Sequence, residues 1–318
     1  MNGFKVIAGS SNKSLSDDIK EWLRYKTGND NFDFVDCDLG NFSDGETKIQ
    51  INENLRGYHV FVIQSLCNPV NDNLIELTLI LDALKRSNTE EITVIIPYYG
   101  YGRQDKKSKG RTPISASTIA KIIELSNPNR VVTIDLHAPQ IQGFFNCPVD
   151  NLYANIVFFD HINYETDNLC IISPDSGGTE NATLYSKRFN CDMGFCYKHR
   201  EKANEIDDMR LIGNVSGKSC IIIDDICDTG TTLLRSSEIL RHNGAERVEI
   251  FITHGVFSKG IRKLISSSSI DRINITDTIP QNEEVLLSNK MNIVSVAPLL
   301  GDTIIRLKNG LSLSELFI

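Results

Sequence analysis

The clearest chemical signal in this sequence is the stretch at 220–232, which reads CIIIDDICDTGTT. Its apolar run predicts a buried strand of a parallel sheet, and Gly230 permits a sharp turn after the acids. A helix that starts after such a turn presents backbone N–H groups to an anion, while paired carboxylates accept hydrogen bonds from sugar hydroxyls. The stretch therefore predicts a sugar-phosphate site, formed by Asp224, Asp225, Asp228, Thr229, Gly230, Thr231 and Thr232.

Two other interpretations apply to the same stretch. An apolar run that ends in two acids is also typical of the magnesium-binding strand of P-loop ATPases. That site needs a G-x-x-x-x-G-K-[ST] loop, which the sequence lacks. A purely structural acidic turn is the second alternative. The close spacing of acids, glycine and threonines within 224–232 favours the sugar-phosphate site over both alternatives.

A basic segment lies at 103–111 in a chain whose net charge is −8. It begins with Arg103, Gln104 and Asp105 and follows a glycine-containing run. We interpret the segment as a mobile flap that closes over phosphates. A solvated surface loop or a localisation signal is the alternative.

Two further polar residues follow predicted strands. His137 comes after a strand at 130–135, and Asp175 comes after another strand. Ligands of parallel sheets bind at the carboxyl ends of the strands, so both residues are well placed. Asp175 could hold a hard cation such as Mg²⁺ alongside His137 and substrate oxygens. The alternative for a lone histidine is packing or capping.

Two other segments have open interpretations. Phe42 could pack in a core, or it could stack on a flat ring while Asp44 and Glu46 bind the edge of that ring. Lys198 and Arg200 follow a predicted strand. They are either plain surface charges or neighbours of the sugar-phosphate loop.

The composition is that of an ordinary folded chain. Its 318 residues suffice for two domains, and a hydrophobic content of 41% argues against disorder. The negative net charge argues against a general nucleic-acid or membrane binder. Eight cysteines form no C-x-x-C pair, and we see no signal peptide or membrane-spanning apolar run. We therefore expect a cytoplasmic protein.

The apolar runs predict an α/β fold with a weak internal repeat. Blocks at 59–97 and 218–254 both read strand, loop, helix, strand, and only the second contains the Asp-Asp loop. We also expect Ser16 to cap the first helix and residues 213–217 to form a hairpin-like turn.

Several motifs together resemble the ribose-phosphate diphosphokinase (phosphoribosyl diphosphate synthase) family from near end to end. They are FSDGE at 42–46, VNDNLIEL at 70–77, GRQDKK at 102–107, DLHAPQIQGFF at 135–145, PVDNLYA at 148–154, SPDSGG at 173–178, KHREKANE at 198–205 and the loop at 224–232. The resemblance implies two similar phosphoribosyltransferase-like α/β domains, each a central, mostly parallel sheet flanked by helices. Residues 1–150 would form the ATP side with the basic flap, and residues 151–318 the ribose 5-phosphate side.

The resemblance also implies an enzyme of nucleotide biosynthesis that requires Mg²⁺. It would transfer the β,γ-diphosphoryl group of ATP to the anomeric hydroxyl of ribose 5-phosphate, giving 5-phosphoribosyl 1-diphosphate and AMP. The residues implied for ATP are Phe42, Asp44, Glu46, Arg103, Gln104, Asp105 and His137, of which the first three reach across from a neighbouring subunit. His137 and Asp175 would lie at a magnesium ion, residues 224–232 would bind ribose 5-phosphate, and Lys198, Arg200 and His137 would be catalytic.

The family assembles as hexamers built from dimers, and many members respond to phosphate and ADP. Arg56, Ser312 and Ser314 match the family's regulatory anion site. Asn54 and Asn88 stand where the family pattern has serines, and Ser108 replaces an acid common in the basic flap.

Two rival classes share part of this pattern. A plain phosphoribosyltransferase would have the loop at 224–232 but would not need the FSDGE turn or a duplicated half. A non-catalytic regulatory paralogue would typically have a disrupted catalytic loop or insertions. Here Lys198, Arg200, His137 and Asp175 are all present.

Overall fold

The computed structural model describes residues 3–164, 166–175, 177–199 and 208–317. The chain forms two compact units. The first comprises Met1–Ile156, Thr278–Pro280 and Ser295–Ile318, and the second comprises Val157–Asp277 and Gln281–Val294. The units therefore differ from the predicted division at 150/151, because the C-terminal segment belongs to the first unit.

The first unit is built on a five-stranded parallel sheet in the order β1-β4-β5-β6-β7, and β2 and β3 form a separate antiparallel hairpin. The strands are β1 (Phe4–Ala8), β2 (Cys37–Asn41), β3 (Thr47–Ile51), β4 (His59–Ile63), β5 (Glu91–Ile96), β6 (Arg130–Ile134) and β7 (Val149–Leu152). The interior strands of the large sheet are almost wholly buried, as expected for a parallel sheet that is covered on both faces.

The second unit contains a seven-stranded sheet in the order β10-β9-β8-β11-β12-β13-β14. Its strands are β8 (Leu169–Ser173), β9 (Asp192–His199), β10 (Asp208–Ile212), β11 (Ser219–Cys227), β12 (Arg247–Gly255), β13 (Arg272–Thr276) and β14 (Met291–Val294). Only β10 runs antiparallel, against β9. Later strands are added outward on both sides of the β8–β11 pair, so the strand order reverses between them. Such a reversal opens a crevice beyond the carboxyl ends, where ligands bind.

Helices cover the sheets of both units. They are α1 (Lys13–Thr27), α2 (Val70–Arg86), α3 (Ser115–Ile123), α4 (Asn155–Phe159), α5 (Thr179–Phe189), α6 (Thr231–His242), α7 (Arg262–Ile265), α8 (Glu283–Leu286) and α9 (Ala297–Lys308). Among the described residues, no helix combines the length and the apolar composition needed to cross a membrane. The predicted α/β fold is confirmed.

The predicted internal repeat is visible in the topology. In the first unit β4 pairs in parallel with β5 and the two are joined through α2, while in the second unit β11 pairs in parallel with β12 and the two are joined through α6. The predicted hairpin-like turn at 213–217 was wrong. β10 pairs with β9, and β11 lies between β8 and β12, so the segment connects two strands that are not neighbours.

The first helix begins earlier than predicted. Asn12 caps α1, because its side-chain oxygen accepts a hydrogen bond from the Leu15 N–H group at 3.2 Å. Ser16 lies inside the helix, where its hydroxyl donates to the Asn12 carbonyl at 2.9 Å. The expectation that Ser16 caps α1 was therefore wrong.

Packing between α1 and α9 explains why the C-terminal segment belongs to the first unit. A Cβ atom on Gly301 of α9 would lie 2.3 Å from the Cδ1 atom of Trp22, so the helices approach closely at this glycine. The Trp22 indole N–H also donates to the Asp302 carboxylate at 2.8 Å. This contact joins the two ends of the sequence, so local patterns do not predict it.

Candidate active site

The predicted sugar-phosphate loop lies at the reversal of strand order in the second unit. β11 continues through Asp224 and Asp225 as far as Cys227, and α6 begins at Thr231 after the αL residue Gly230. Within the described part of the chain, no side chain caps α6. The N–H groups of a first helical turn have no partner within the helix, so they can bind an anion. The seven predicted residues therefore lie in one strand–loop–helix connection.

Side chains around this loop contact one another. The Oγ1 atoms of Thr229 and Thr231 lie 3.2 Å apart. The Ser258 hydroxyl, which follows β12, donates a hydrogen bond to the Asp228 carboxylate. Ser258 was missed from the sequence, because only the pairing of β11 with β12 brings it to the loop.

Gly230 is required by both backbone and packing. Its φ of 71° lies in the left-handed region, and an added Cβ atom would lie 2.3 Å from Leu264 Cδ1 and 2.8 Å from Leu264 Cγ. Gly217 has nearly the same φ of 70° but no atom within 4 Å of an added Cβ. Comparing substitutions at the two positions therefore distinguishes the cost of the left-handed conformation from the cost of steric overlap.

We expect Gly230→Ala to destabilise the protein more than Gly217→Ala. Both variants carry the left-handed penalty, but only the first forces Leu264 to move, which adds about 1–3 kcal/mol of overpacking. Chemical denaturation of the two variants and the parent measures this difference. Equal losses would show that the loop relaxes freely around the new methyl group.

Asp175 lies beside the paired acids of β11. It follows β8, and its Oδ1 atom accepts hydrogen bonds from the N–H groups of Gly177 at 2.7 Å and Gly178 at 3.1 Å. Burial raises the pKa of Asp224 well above its usual range, and the negative charges of Asp225 and Asp175 raise it further. The crevice therefore concentrates carboxylates, which a cation would stabilise.

This donor set fits Mg²⁺ bound together with a phosphorylated substrate. Within the described ranges, no group of three or more His, Cys, Asp or Glu side chains could hold a metal ion by itself. Mg²⁺ is usually bound by one or two carboxylates, with water and substrate phosphate oxygens as the other ligands. Asp175 and the β11 acids therefore supply the oxygen chemistry that such an ion needs. His137 belongs to the first unit, so its part in a metal site stays a prediction.

In the first unit, the start of the predicted flap lies next to His137. The flap follows β5 and His137 follows β6, and these strands are parallel neighbours. A Cβ atom added to Gly102 would lie 3.7 Å from the His137 Cβ atom. Arg103, Gln104 and His137 are all exposed at this edge. The structure therefore brings together three of the residues predicted to contact ATP.

Gln104 is held in place by its neighbours. Its N–H group donates to the Tyr101 carbonyl at 3.1 Å, and its own carbonyl accepts from the Ala116 N–H group at 3.2 Å. The Ser115 hydroxyl donates to the Gln104 side-chain oxygen. Asp105, which follows, is half-buried. The flap is thus anchored at its first residues.

The FSDGE turn forms the tip of the β2–β3 hairpin. The Phe42 N–H group donates to the Glu46 carbonyl at 2.8 Å, and the Asp44 carboxylate accepts from the Glu46 N–H group at 3.1 Å. The Phe42 side chain is 53% exposed, so it does not pack in the core of its own unit. The core interpretation was therefore wrong, and the stacking interpretation remains.

The predicted catalytic cations are only partly described. The Lys198 backbone lies near the carboxyl end of β9, paired with Met209 of β10. β9 runs parallel to β8, so its carboxyl end lies at the same edge of the sheet as Asp175. The Lys198 side chain and all of Arg200 lie outside the described residues.

Comparison with known proteins identifies the family. A model of the N-terminal domain of ribose phosphate pyrophosphokinase matches residues 4–126, and a model of the phosphoribosyl synthetase-associated domain matches residues 198–318. A ribose-phosphate pyrophosphokinase of Aquifex aeolicus is 45% identical and aligns over 100% of both chains. The chain belongs to the ribose-phosphate pyrophosphokinase family. A second member, from Cereibacter sphaeroides, is 43% identical over 100% of this chain and 95% of its own.

A solved structure of the same family has the same fold. Phosphoribosylpyrophosphate synthetase from Mycobacterium smegmatis superposes with a TM-score of 0.88 and 33% identity, covering 97% of this chain and 100% of that one. The match spans both units, which favours a ribose-phosphate pyrophosphokinase over a plain phosphoribosyltransferase.

The segments that match the family's regulatory site lie in the first unit. Ser312 and Ser314 contact each other, since the Ser312 hydroxyl donates to Ser314 Oγ at 2.9 Å and accepts from the Ser314 N–H group at 3.1 Å. Arg56 is exposed, and the N–H group of the adjacent Gly57 donates to the Asn88 carbonyl at 3.3 Å. No hydrogen bond or ion pair between described residues joins Arg56 to either serine, so this site stays a prediction.

Local backbone geometry accommodates both asparagines that stand where the family pattern has serines. The Asn54 side-chain oxygen accepts a hydrogen bond from the Arg56 N–H group at 3.1 Å, an interaction that a serine hydroxyl can also make. Asn88 has a φ of 57°, and asparagine adopts this left-handed conformation more readily than most residues. Both substitutions are therefore compatible with the backbone around Arg56.

Proposed function

We propose that this family member transfers the β,γ-diphosphoryl group of ATP to the anomeric hydroxyl of ribose 5-phosphate, giving 5-phosphoribosyl 1-diphosphate and AMP. The observation that carries the proposal is the Asp224–Asp225 pair followed by the Gly230 turn and α6, at the reversal of strand order in the second unit. This arrangement suits a sugar phosphate, because carboxylates accept ribose hydroxyls while helix N–H groups bind the phosphate.

Catalysis would rest on positioning and charge neutralisation more than on covalent chemistry. The loop at 224–232 would orient the ribose, and Arg103, Gln104 and His137 would bind the nucleotide. Mg²⁺ would supply charge neutralisation on the phosphate oxygens, with Asp175 and His137 holding it. Lys198 and Arg200 would add positive charge near the transferring group. These cations are needed because the described crevice of the second unit is acidic.

A product assay tests the proposed reaction. Purified protein is incubated with ATP, MgCl₂ and ribose 5-phosphate, and phosphorus NMR follows the nucleotide and sugar products. We expect AMP and 5-phosphoribosyl 1-diphosphate in equal amounts, with none when ribose 5-phosphate is omitted. ADP formation would indicate a simple kinase, and no turnover would favour the non-catalytic paralogue.

We propose that the protein forms a hexamer built from dimers, in which Phe42, Asp44 and Glu46 of one subunit bind the adenine ring of the ATP held by a neighbouring subunit. The exposure of Phe42 at a hairpin tip supports this, since an exposed aromatic ring can stack on a base. The carboxylates beside it can accept hydrogen bonds from the adenine amino group.

We expect Phe42→Ala to weaken ATP binding by about 1–3 kcal/mol, or roughly 5–150-fold in affinity. The matched control is Tyr25→Ala, because Tyr25 is an exposed aromatic residue on α1, 77% exposed, outside the proposed site. Calorimetric titration with a non-hydrolysable ATP analogue compares the two. Unchanged affinity in Phe42→Ala would remove the adenine assignment.

We further propose that phosphate activates the enzyme and ADP inhibits it through Arg56, Ser312 and Ser314. We expect Arg56→Ala to abolish phosphate activation while basal turnover persists, because the anion loses its cation at a site distinct from the chemistry. Arg86→Ala is the control, since Arg86 is an exposed arginine of the same unit. Turnover is measured across a phosphate titration. An equal loss at every phosphate concentration would point instead to folding or to the active site.

We also propose a cytoplasmic location. All eight cysteines are free thiols in the structure. Free thiols are typical of proteins from reducing compartments, where disulfides rarely persist.

A further inference from the structure

The turn that carries His137 is joined by hydrogen bonds to β7 and to Ala154, which follows β7. The Asp135 N–H group donates to the Leu152 carbonyl at 2.9 Å, and the Asp135 carboxylate accepts from the Ala154 N–H group at 3.3 Å. The Leu136 N–H group donates to the Asn151 side-chain oxygen at 2.9 Å. This last hydrogen bond links Leu136, the residue directly before His137, to Asn151 of β7.

The backbone at this turn is strained. Asp135 has a φ of 40°, a left-handed conformation that costs on the order of 1–3 kcal/mol outside glycine. Such a conformation persists only where surrounding contacts enforce it. In a regular strand, the Leu136 N–H group would donate to a backbone carbonyl of the neighbouring strand. Here it donates to the side-chain oxygen of Asn151 instead.

Asn151 is itself fixed within the sheet. It lies in β7 opposite Thr133 of β6 and is only 5% exposed. Its Nδ2 atom has no hydrogen-bond partner among the described residues. Its side-chain oxygen accepts the hydrogen bond from the Leu136 N–H group, which links Asn151 to the turn. Retaining a buried amide with an unpaired donor is unfavourable, which suggests a role besides stability.

We propose that Asn151 is a positioning residue for His137. By fixing Leu136, it sets the orientation of the next residue at the carboxyl edge of the sheet. The His137 Cβ atom lies close to Gly102, so a shift of this turn would also disturb the start of the flap. The proposal rests on the proposed role of His137 at the bound nucleotide.

A purely structural role for Asn151 predicts a different effect of its substitution than a positioning role does. If Asn151 only satisfied a buried N–H group, Asn151→Ala would lower the melting temperature and leave kcat of the folded protein unchanged. A positioning role predicts a lower kcat, because a misplacement of about 1 Å in a reacting group costs up to roughly 100-fold in rate.

The test is a double-mutant cycle of Asn151→Ala and His137→Ala, with steady-state kinetics for both substrates. We expect Asn151→Ala to lower kcat by roughly 10-fold with little change in the KM for ribose 5-phosphate. In the His137→Ala background, the same change should have almost no further effect on kcat, because the group that it positions is gone. Additive losses would overturn the proposal, as would an unchanged kcat in Asn151→Ala.

Three controls make the cycle decisive. Thr133→Val removes the other unpaired polar atom of this register pair and should leave kcat unchanged. Asn151→Asp keeps an oxygen acceptor and should restore most of the lost kcat. Should Asn151→Ala not fold, Asn151→Ser shortens the side chain, leaves a polar atom in the site and should show the same loss.

The possible failures are distinguishable. An inactive parent would contradict the proposed function itself. An active parent with a fully active His137→Ala variant would contradict the role of His137 and, with it, that of Asn151. An impaired His137→Ala variant with additive losses would contradict only the positioning role.

Discussion

Replacing either Lys198 or Arg200 with alanine is expected to lower kcat by at least about 10²–10³-fold, with smaller changes in KM. Burial and the neighbouring charges of Asp225 and Asp175 disfavour the ionised form of Asp224, so negative charge accumulates in this part of the site. The transferring group, the AMP leaving group and the attacking oxygen all carry negative charge. Cations at the carboxyl end of β9 and in the segment that follows it would stabilise that charge mainly in the transition state.

The measurement is steady-state kinetics together with a melting curve for each variant. Lys187→Ala is the matched control, because Lys187 is a cation of the same unit in the last turn of α5. A catalytic role predicts melting temperatures near that of the parent, because the loss then falls on turnover and not on the stability of the fold. Turnover within about threefold of the parent would contradict the catalytic assignment and support a plain surface charge.

Asp224→Asn is expected to weaken ribose 5-phosphate binding while leaving ATP binding largely unchanged. The substitution replaces one carboxylate oxygen, which accepts from a ribose hydroxyl in the proposed complex, with an NH₂ donor. A buried polar group left without its partner costs about 1–3 kcal/mol, or roughly 5–150-fold in affinity. Asp192→Asn is the control, because Asp192 lies at the amino end of β9 in the same sheet. A collapse of ATP affinity with normal ribose 5-phosphate affinity would mean that the site is assigned to the wrong substrate.

The same substitution should stabilise the ligand-free protein. The folded-state pKa of Asp224 is raised by burial and by Asp225 and Asp175, so the unfolded chain releases this proton at lower pH than the folded one. Stability therefore falls as pH rises from the ordinary aspartate pKa through the raised one, and the full penalty is present above it. Asparagine cannot ionise, so this penalty should be absent in the variant. Melting curves across pH measure the effect, and identical profiles for both proteins would contradict it.

Local patterns in the sequence were sufficient to locate the sugar-phosphate loop. The apolar run, the paired acids and the Gly230 turn are contiguous, and β11 and α6 form where those residues predict them. Contacts between distant segments were not predictable in this way. The approach of Asp175 to Asp224 depends on β8 pairing with β11, and the contact of Ser258 with Asp228 depends on β11 pairing with β12.

Competition between similar local signals accounts for the other errors. Asn12 and Ser16 are both good helix caps, and the structure selects Asn12. Glycines at 213 and 217 suggested a hairpin, but the buried β11 strand pairs with two parallel neighbours instead. Asn151 was not singled out, because its hydrogen bond to Leu136 arises only after β6 and β7 pair.

The most direct test of the central claim is a crystal structure of the protein with ribose 5-phosphate bound. We predict that the phosphate oxygens lie about 2.7–3.2 Å from backbone N–H groups of residues 229–232, with the ribose hydroxyls at the Asp224 and Asp225 carboxylates. A sugar phosphate bound elsewhere, with the 224–232 loop making no contact to it, would contradict the account.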